Sequence, residues 1–153
     1  MEAEMLFAKA HVLWKGTDMC SDPAKAVSLL DQALSIEPGF AEARLWRGQA
    51  LTQLDQWDEA IDDLTLVVRQ GPSAQAYAWR GLAFMRSGNF LGSRRDLDRS
   101  IDLDSSQHRA WNFRGGLNLA EGNMDAACKD FSRGCKNGDC TGFDNARAGN
   151  MCK

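Results

Sequence analysis

The strongest constraint on the fold of this chain is the dipeptide Arg-Gly, which recurs at a nearly constant spacing. It occurs as Arg47-Gly48, Arg80-Gly81 and Arg114-Gly115, in steps of 33 and 34 residues. Each glycine is followed by a small residue after twelve positions and a large apolar residue after sixteen: Ala60 and Leu64, Ser93 and Leu97, and Ala127 and Phe131. A period of this length is typical of repeat proteins, in which each repeat packs against its neighbours.

The spacing of apolar residues divides each repeat into two helices joined by a tight turn. The first helices are predicted near 41–54, 74–87 and 107–121, and the second helices near 57–70, 90–103 and 124–135. The turns contain Asp55-Gln56, Gly88-Asn89 and Gly122-Asn123, which suit a reversal of the chain. We expect each glycine to lie where the two helices cross, facing the small residue twelve positions later.

These columns resemble the tetratricopeptide repeat family, whose unit of about 34 residues carries W-x2-L-G-x2-Y, then A-x3-F, then P. Within residues 41–136, Ala127 to Phe131 reproduces A-x3-F, and Trp111 to Gly115 reproduces W-x3-G. The chain departs from the pattern in the Arg before each glycine and in Ser93, where the family has Ala. The resemblance implies an all-α fold, a right-handed superhelix of helix pairs, and a module that binds a peptide or protein.

Four repeats and a cap account for the chain in this prediction. The repeats span about 3–38, 41–72, 74–105 and 107–136, within a single solenoid domain over 1–153. The first repeat is degenerate: Ala10 and Ala26 are sixteen positions apart where the other repeats have twelve, so the turn from Gly16 to Asp22 is expected to hold about four extra residues. The stretch 140–149 is predicted to form a short capping helix, because a solenoid needs a polar outer end.

Each repeated arginine has an aspartate sixteen residues later. The pairs are Arg47 with Asp63, Arg80 with Asp96, and Arg114 with Asp130. The arginines could form a row of ligand-binding groups, or each pair could be an internal ion pair that sets the register of the two helices. The constant offset of an acidic partner favours the internal ion pair.

An aromatic residue stands two positions before each glycine, at Trp46, Trp79 and Phe113. That position lies about 160° around the helix from the glycine, so the rings point away from the contact within a repeat. In proteins that the chain resembles, the first helices line the concave side of the superhelix, which implies a ligand groove there. The predicted groove residues are Trp46, Gln49, Gln53, Trp79, Leu82, Arg86, Asn112 and Phe113. We predict that the rings form an exposed line with Trp79 at its middle; packing of the rings between repeats is the alternative.

The charge of the chain disfavours nucleic acid and suggests a second function. The net charge of −3 provides no overall basic field for phosphates. Residues 1–70 hold twelve acids and six bases (net −6), and residues 71–153 hold nine acids and twelve bases (net +3). The alternative to peptide binding is therefore a homo-oligomer that assembles head to tail.

No apolar run is long enough to span a membrane, and the compartment is expected to be cytoplasmic by default, or periplasmic or exported if a leader was removed.

The five cysteines and two histidines offer little for catalysis or metal binding. A disulfide that holds the cap, most simply Cys140 to Cys152, is one reading of the cysteines; unpaired thiols are the other. Their spacing does not suit zinc, and neither His11 nor His108 is near them in sequence. No phosphate loop or nucleophile motif occurs, so we predict no enzyme activity, no metal and no cofactor.

Overall fold

A computed structural model describes residues 1–16 and 19–153, and every regular element in those ranges is a helix. The helices are α1 (Glu2–His11, followed by a 3₁₀ turn at Val12–Trp14), α2 (Pro23–Ile36), α3 (Ala41–Gln53), α4 (Trp57–Gln70), α5 (Ala74–Arg86), α6 (Phe90–Leu103), α7 (His108–Ala120), α8 (Met124–Lys136) and α9 (Thr141–Ala148). The all-α prediction is confirmed. In the three full repeats and the cap, each helix ends within one residue of its predicted bound. Two residues of the predicted long turn, Thr17 and Asp18, lie outside the described residues.

The helices fall into two compact units, Met1–Pro72 with α1 to α4 and Ser73–Lys153 with α5 to α9. We call them the N-terminal unit and the C-terminal unit. The boundary follows Pro72, one of the prolines between repeats. Each unit thus holds two antiparallel helix pairs, and the C-terminal unit also holds the cap helix α9. No helix in the described ranges is long and apolar enough to cross a membrane.

The helices of each full repeat cross where the repeated glycine lies. A Cβ atom added to Gly48, Gly81 or Gly115 would lie 2.7 Å from Leu64 Cγ, 2.8 Å from Leu97 Cγ or 2.6 Å from Phe131 Cε1, respectively. Such distances are too short for carbon atoms, so the crossing requires a residue without a side chain. The nearest side chain is the large residue sixteen positions later, and not the small residue twelve positions later that the sequence pattern had assigned to this contact.

The turns inside the repeats are built from residues that tolerate a left-handed backbone. The φ angles of Asp55, Gly88 and Gly122 are 60°, 89° and 79°, in the region that Gly, Asn and Asp adopt most readily. The next residue in two of these turns then caps a helix: Asn89 and Asn123 accept hydrogen bonds from backbone N–H groups in the first turns of α6 and α8. The turn chemistry therefore sets where the second helix of each of these repeats begins.

Two disulfides hold the C-terminal cap, Cys128–Cys152 and Cys135–Cys140. The predicted pair Cys140–Cys152 is wrong. Cys140 lies in the turn that directly follows α8, so it meets Cys135 in the last turn of α8, whereas Cys152 follows α9 and returns to the first half of α8. The fifth cysteine, Cys20, is free and buried, and burial raises the pKa of its thiol.

Candidate functional site

The Arg–Asp ion pair predicted within each full repeat is present in all three. Each guanidinium donates two parallel hydrogen bonds to one carboxylate, from Nε to Oδ2 and from Nη2 to Oδ1. The distances are 2.7 and 2.6 Å for Arg47 and Asp63, 2.6 and 2.9 Å for Arg80 and Asp96, and 2.9 and 2.9 Å for Arg114 and Asp130. This planar, two-bonded geometry is the strongest form of an Arg–carboxylate contact.

The guanidinium groups of Arg47 and Arg114 are hydrogen-bonded within the fold. The hydrogen bonds to Asp63 and Asp130 raise the pKa of Arg47 and Arg114 above its ordinary value, against the opposing effect of burial. The remaining Nη1 of Arg47 donates to Asp31 at 2.8 Å, and that of Arg114 donates to Asp98 at 3.0 Å. All three nitrogens of both groups therefore contact carboxylates, so we assign these residues to helix register and not to a ligand.

In the N-terminal unit, Trp46 joins an aromatic cluster. Its ring meets the Trp14 ring edge-on at 4.8 Å between centroids, and the His11 ring at 4.5 Å. Trp14 is buried and Trp46 is half-buried. Trp46 therefore packs α3 against the first repeat and keeps only part of its ring accessible.

Neither glutamine of the predicted groove presents a free amide at the surface. Gln49 is only 1% exposed. The Gln53 amide accepts a hydrogen bond from the Cys20 N–H at 2.9 Å and donates one to the Cys20 carbonyl at 3.2 Å, which holds the chain just before α2. Gln49 is thus enclosed and both ends of the Gln53 amide are paired in this structure, and their contact with a ligand stays a prediction.

In the C-terminal unit, Trp79 is a core residue. It is 2% exposed, and its ring lies 5.3 Å from the Phe113 ring and 5.3 Å from the Arg109 guanidinium. The prediction of an exposed ring at Trp79 is wrong. The indole of α5 is instead enclosed and packs edge-on against Phe113 of α7.

The other predicted residues of this unit remain at least partly accessible. Leu82, Asn112 and Phe113 are half-buried and Arg86 is exposed. The Asn112 amide donates to the Asp139 carbonyl at 3.2 Å, which ties α7 to the turn before α9. Leu82, Arg86 and Phe113 are therefore the predicted groove residues of this unit that stay accessible. Together with their neighbours Met85 and Gly116 they form a surface that we call the α5–α7 face. The two helices approach at Gly116, where a Cβ atom would lie 3.8 Å from Met85 Cε.

Asn118 is a buried polar residue that the sequence pattern did not single out. Its Nδ2 donates to Asp130 Oδ2 at 2.8 Å, and its Oδ1 accepts from Arg94 at 2.7 Å. Arg94 also pairs with Glu121 at 2.7 Å. The signal was present in the repeat alignment: the third position after the glycine is apolar in the other two repeats, Leu51 and Phe84, but polar here.

The chain matches two family models, both described as tetratricopeptide repeat, over residues 21–83 and 80–139. It is 26% identical over 122 residues to tetratricopeptide repeat protein 13 of Homo sapiens, a match that covers 80% of this chain and 14% of that protein. It is 29% identical over 119 residues to Hsc70-interacting protein 1 of Drosophila melanogaster, covering 76% of this chain and 31% of that protein. The chain thus spans less than a third of either relative.

Among solved structures, the fold is similar to MamA 41-end from Desulfovibrio magneticus RS-1, with a TM-score of 0.74 at 21% identity. The match covers 95% of this chain and 77% of that one, and at this identity it shows the shared fold alone. The helix pairs and the glycine at each crossing have the arrangement expected of the family that both models describe. The chain belongs to the tetratricopeptide repeat family.

Proposed function

We propose that the chain binds a peptide segment of a partner protein on the α5–α7 face. Tetratricopeptide repeats are non-catalytic protein-interaction modules, and this proposal gives that general role a location on the chain. The name of one relative, Hsc70-interacting protein 1, records an interaction of that protein with another protein. The residues of α5 and α7, and not the relative's partner, support the location proposed here.

The observation that carries the proposal is the composition of this face. Leu82, Met85 and Phe113 are half-buried apolar side chains, and Gly116 lies beside Met85, where an added Cβ would be 3.8 Å from Met85 Cε. Trp79 supports Phe113 from the core, so the surface ring is held in place. Exposed Arg86 borders the apolar residues. A small apolar surface with a polar edge is suited to an apolar side chain of a helix or an extended segment. Trp46, whose ring is half-buried in the N-terminal unit, is proposed as a separate contact for a partner protein.

Selection of displayed random peptides against the wild-type chain, followed by fluorescence anisotropy with the enriched peptides, tests the proposal. Leu82→Glu places a charge in the face, and Arg86→Glu changes the border without removing a buried group. We expect about a tenfold loss of affinity or more for Leu82→Glu, equivalent to about 1.4 kcal/mol. The control Arg99→Glu, at an exposed position of α6, should bind as the wild type does.

Circular dichroism melts show whether each variant is folded. Equal affinity of the enriched peptides for the wild type and both α5 variants would place the site elsewhere. Failure to enrich any peptide above the display background would contradict the proposed function itself.

Head-to-tail self-association is a second candidate, favoured by the charges of the two compact units. Met1–Pro72 holds twelve acids and six bases (net −6), and Ser73–Lys153 holds nine acids and twelve bases (net +3). Assembly through these charges should weaken as salt shortens the Debye length, from about 30 Å at 0.01 M to about 3 Å at 1 M. Sedimentation velocity across that range measures it. A monomer at the lowest salt concentration and high protein concentration would exclude this candidate.

A further inference from the structure

The C-terminal unit contains a cavity that faces solvent beside the cap. Its volume is about 410 Å³, and its lining includes Lys129, Arg133 and Lys136 of α8, Phe143 of α9 and Lys153. The Cys128–Cys152 disulfide forms part of the wall. We call this cavity the cap pocket. None of its lining residues belongs to the α5–α7 face, so a proposal for the cap pocket does not rest on the function proposed for that face.

The cations reach the pocket for two different reasons. Lys129, Arg133 and Lys136 stand at i, i+4 and i+7 of α8, a spacing that places them on one side of a helix. Lys153 comes from the far end of the chain, and the bond from its neighbour Cys152 to Cys128 holds it beside α8. The α8 spacing can be read from the sequence, whereas the fourth cation depends on the disulfide.

The three cations that α8 brings to the pocket have no acidic side chain beside them in its lining. No acidic residue lines the pocket, and none of its three lysines forms an ion pair with any residue that the structure describes. Asp130 lies between Lys129 and Arg133 along α8, but it is 5% exposed and is turned toward Arg114 and Asn118. Grouped like charges repel one another, and an anionic ligand would relieve that repulsion.

The pocket also has an apolar component. Phe143 is half-buried within it, and the Arg147 guanidinium lies 5.7 Å from the centre of the Phe143 ring. Arg133 is itself oriented by the Trp111 ring, 5.5 Å from its guanidinium carbon. Cations around one accessible ring can pair with carboxylates while the ring contacts an apolar side chain between them.

We propose that the cap pocket binds an acidic peptide segment, in which Asp or Glu side chains flank one apolar or aromatic residue. The three cations that α8 brings to one cavity suit a few carboxylates. A nucleic acid duplex carries a charge about every 1.7 Å and needs a longer basic surface than this unit offers, since the whole unit has nine acids against twelve bases. The partner is therefore a protein segment with clustered acidic residues.

Fluorescence anisotropy at low salt tests this proposal. The probe is a labelled synthetic peptide with two glutamates on each side of a phenylalanine, and the matched peptide carries glutamine in place of each glutamate. The double variant Lys129→Gln/Lys136→Gln removes two pocket charges. The control Arg95→Gln/Arg99→Gln removes two charges from exposed positions of α6 outside the pocket. All four substituted side chains are exposed, so folding should be unaffected.

We expect the acidic peptide to bind the wild type and the α6 control equally, and the pocket variant at least about tenfold more weakly. The glutamine peptide should not bind. Equal losses of affinity in both double variants would mean that the peptide responds to the overall charge of the chain, and would overturn the assignment of binding to the cap pocket. Binding of the glutamine peptide, or no binding of the acidic one, would overturn its electrostatic basis. Tighter, pocket-dependent binding of a short DNA duplex or of anionic vesicles would overturn its assignment to a peptide.

Discussion

The guanidinium of Arg114 and the carboxylate of Asp130 form two parallel hydrogen bonds of 2.9 Å across the two helices of one repeat. Asn118 donates a third bond to the same carboxylate at 2.8 Å. Because Asp130 is only 5% exposed, its charge is compatible with burial only while these donors remain. Loss of the acid leaves Arg114 with the carboxylate of Asp98, whose side chain is 47% exposed, and with the Trp111 ring, 5.0 Å from its guanidinium carbon.

The difference between these two aspartates is the first prediction. Asp130→Ala should lower the free energy of unfolding by about 3 kcal/mol or more, because it leaves a partly buried cation without its main partner. Asp98→Ala removes an exposed partner of the same arginine and should cost under about 1 kcal/mol. Urea denaturation of both variants measures the two losses. A change below about 0.5 kcal/mol for Asp130→Ala would show that the buried pair does not stabilise the repeat.

Trp79→Ala should destabilise the chain by about 3–5 kcal/mol, because it removes a buried indole that packs against Phe113 of α7. Trp79→Phe keeps a ring against Phe113 and should cost clearly less. Thermal and urea melts of both variants provide the comparison. If Trp79→Ala melts like the wild type, the indole does not serve the core and a binding role would be reinstated.

Two adjacent glycines on α7 should respond to substitution in opposite directions. In Gly115→Ala the new Cβ would lie 2.6 Å from the Phe131 ring, so we expect a loss of about 1–3 kcal/mol. In Gly116→Ala the nearest atom is Met85 Cε at 3.8 Å, so the higher helix propensity of alanine should stabilise the chain by up to about 1 kcal/mol. Urea melts give both values. Equal effects would mean that α7 and α8 do not cross at Gly115.

The two disulfides should contribute unequally to stability. Cys128–Cys152 closes a separation of 24 residues and Cys135–Cys140 closes one of 5. In the chain-entropy model the longer loop contributes about 3.5 kcal/mol and the shorter one about 2 kcal/mol. Cys128→Ala/Cys152→Ala should therefore lower the melting temperature more than Cys135→Ala/Cys140→Ala does. The reverse order would indicate that the short loop, and not the attachment of the C-terminal residues to α8, stabilises the cap.

The start of α9 should be sensitive to acid. The Asp139 carboxylate accepts a hydrogen bond from the Thr141 backbone N–H at 3.0 Å, which holds the pKa of Asp139 below its usual range. A lowered folded pKa gives a stabilisation that is present above the unfolded value, about 3.9, and is lost as pH falls through the folded value. Asp139→Asn should therefore be less stable than the wild type at pH 7, and the difference should vanish in acid. Melts at several pH values measure it; a difference that grows in acid would have the wrong sign.

The fold was predictable to the extent that it depends on local geometry. The period between Gly48, Gly81 and Gly115 specifies helix pairs, and the residues of the turns determine where each helix begins and ends. The offset of sixteen between Arg80 and Asp96 predicted their contact because every repeat brings those two positions together across the same helix crossing. A repeated interaction can be recognised without knowledge of the neighbouring repeats.

The binding residues were less predictable, because accessibility depends on what lies against a helix. Trp79 and Phe113 occupy the same helical phase in successive repeats, but Trp79 is buried and Phe113 is half-buried. Helical phase specifies the direction of a side chain from its own helix and carries no information on which neighbour covers it. Gln49 and Gln53 illustrate the same limit, since their environment depends on the residues packed around α3.

Sequence alone determined the elements that repeat: the helix pairs, the glycine crossings and the buried Arg–Asp pairs, all of which depend on contacts within one repeat. Tertiary structure alone decided the features that occur once, namely the burial of Trp79, the pairing of Cys128 with Cys152 and the position of Lys153 beside α8. The physical reason is that a repeated contact leaves a periodic pattern in the sequence. A contact that occurs once between distant residues depends on how the whole backbone folds to bring them together.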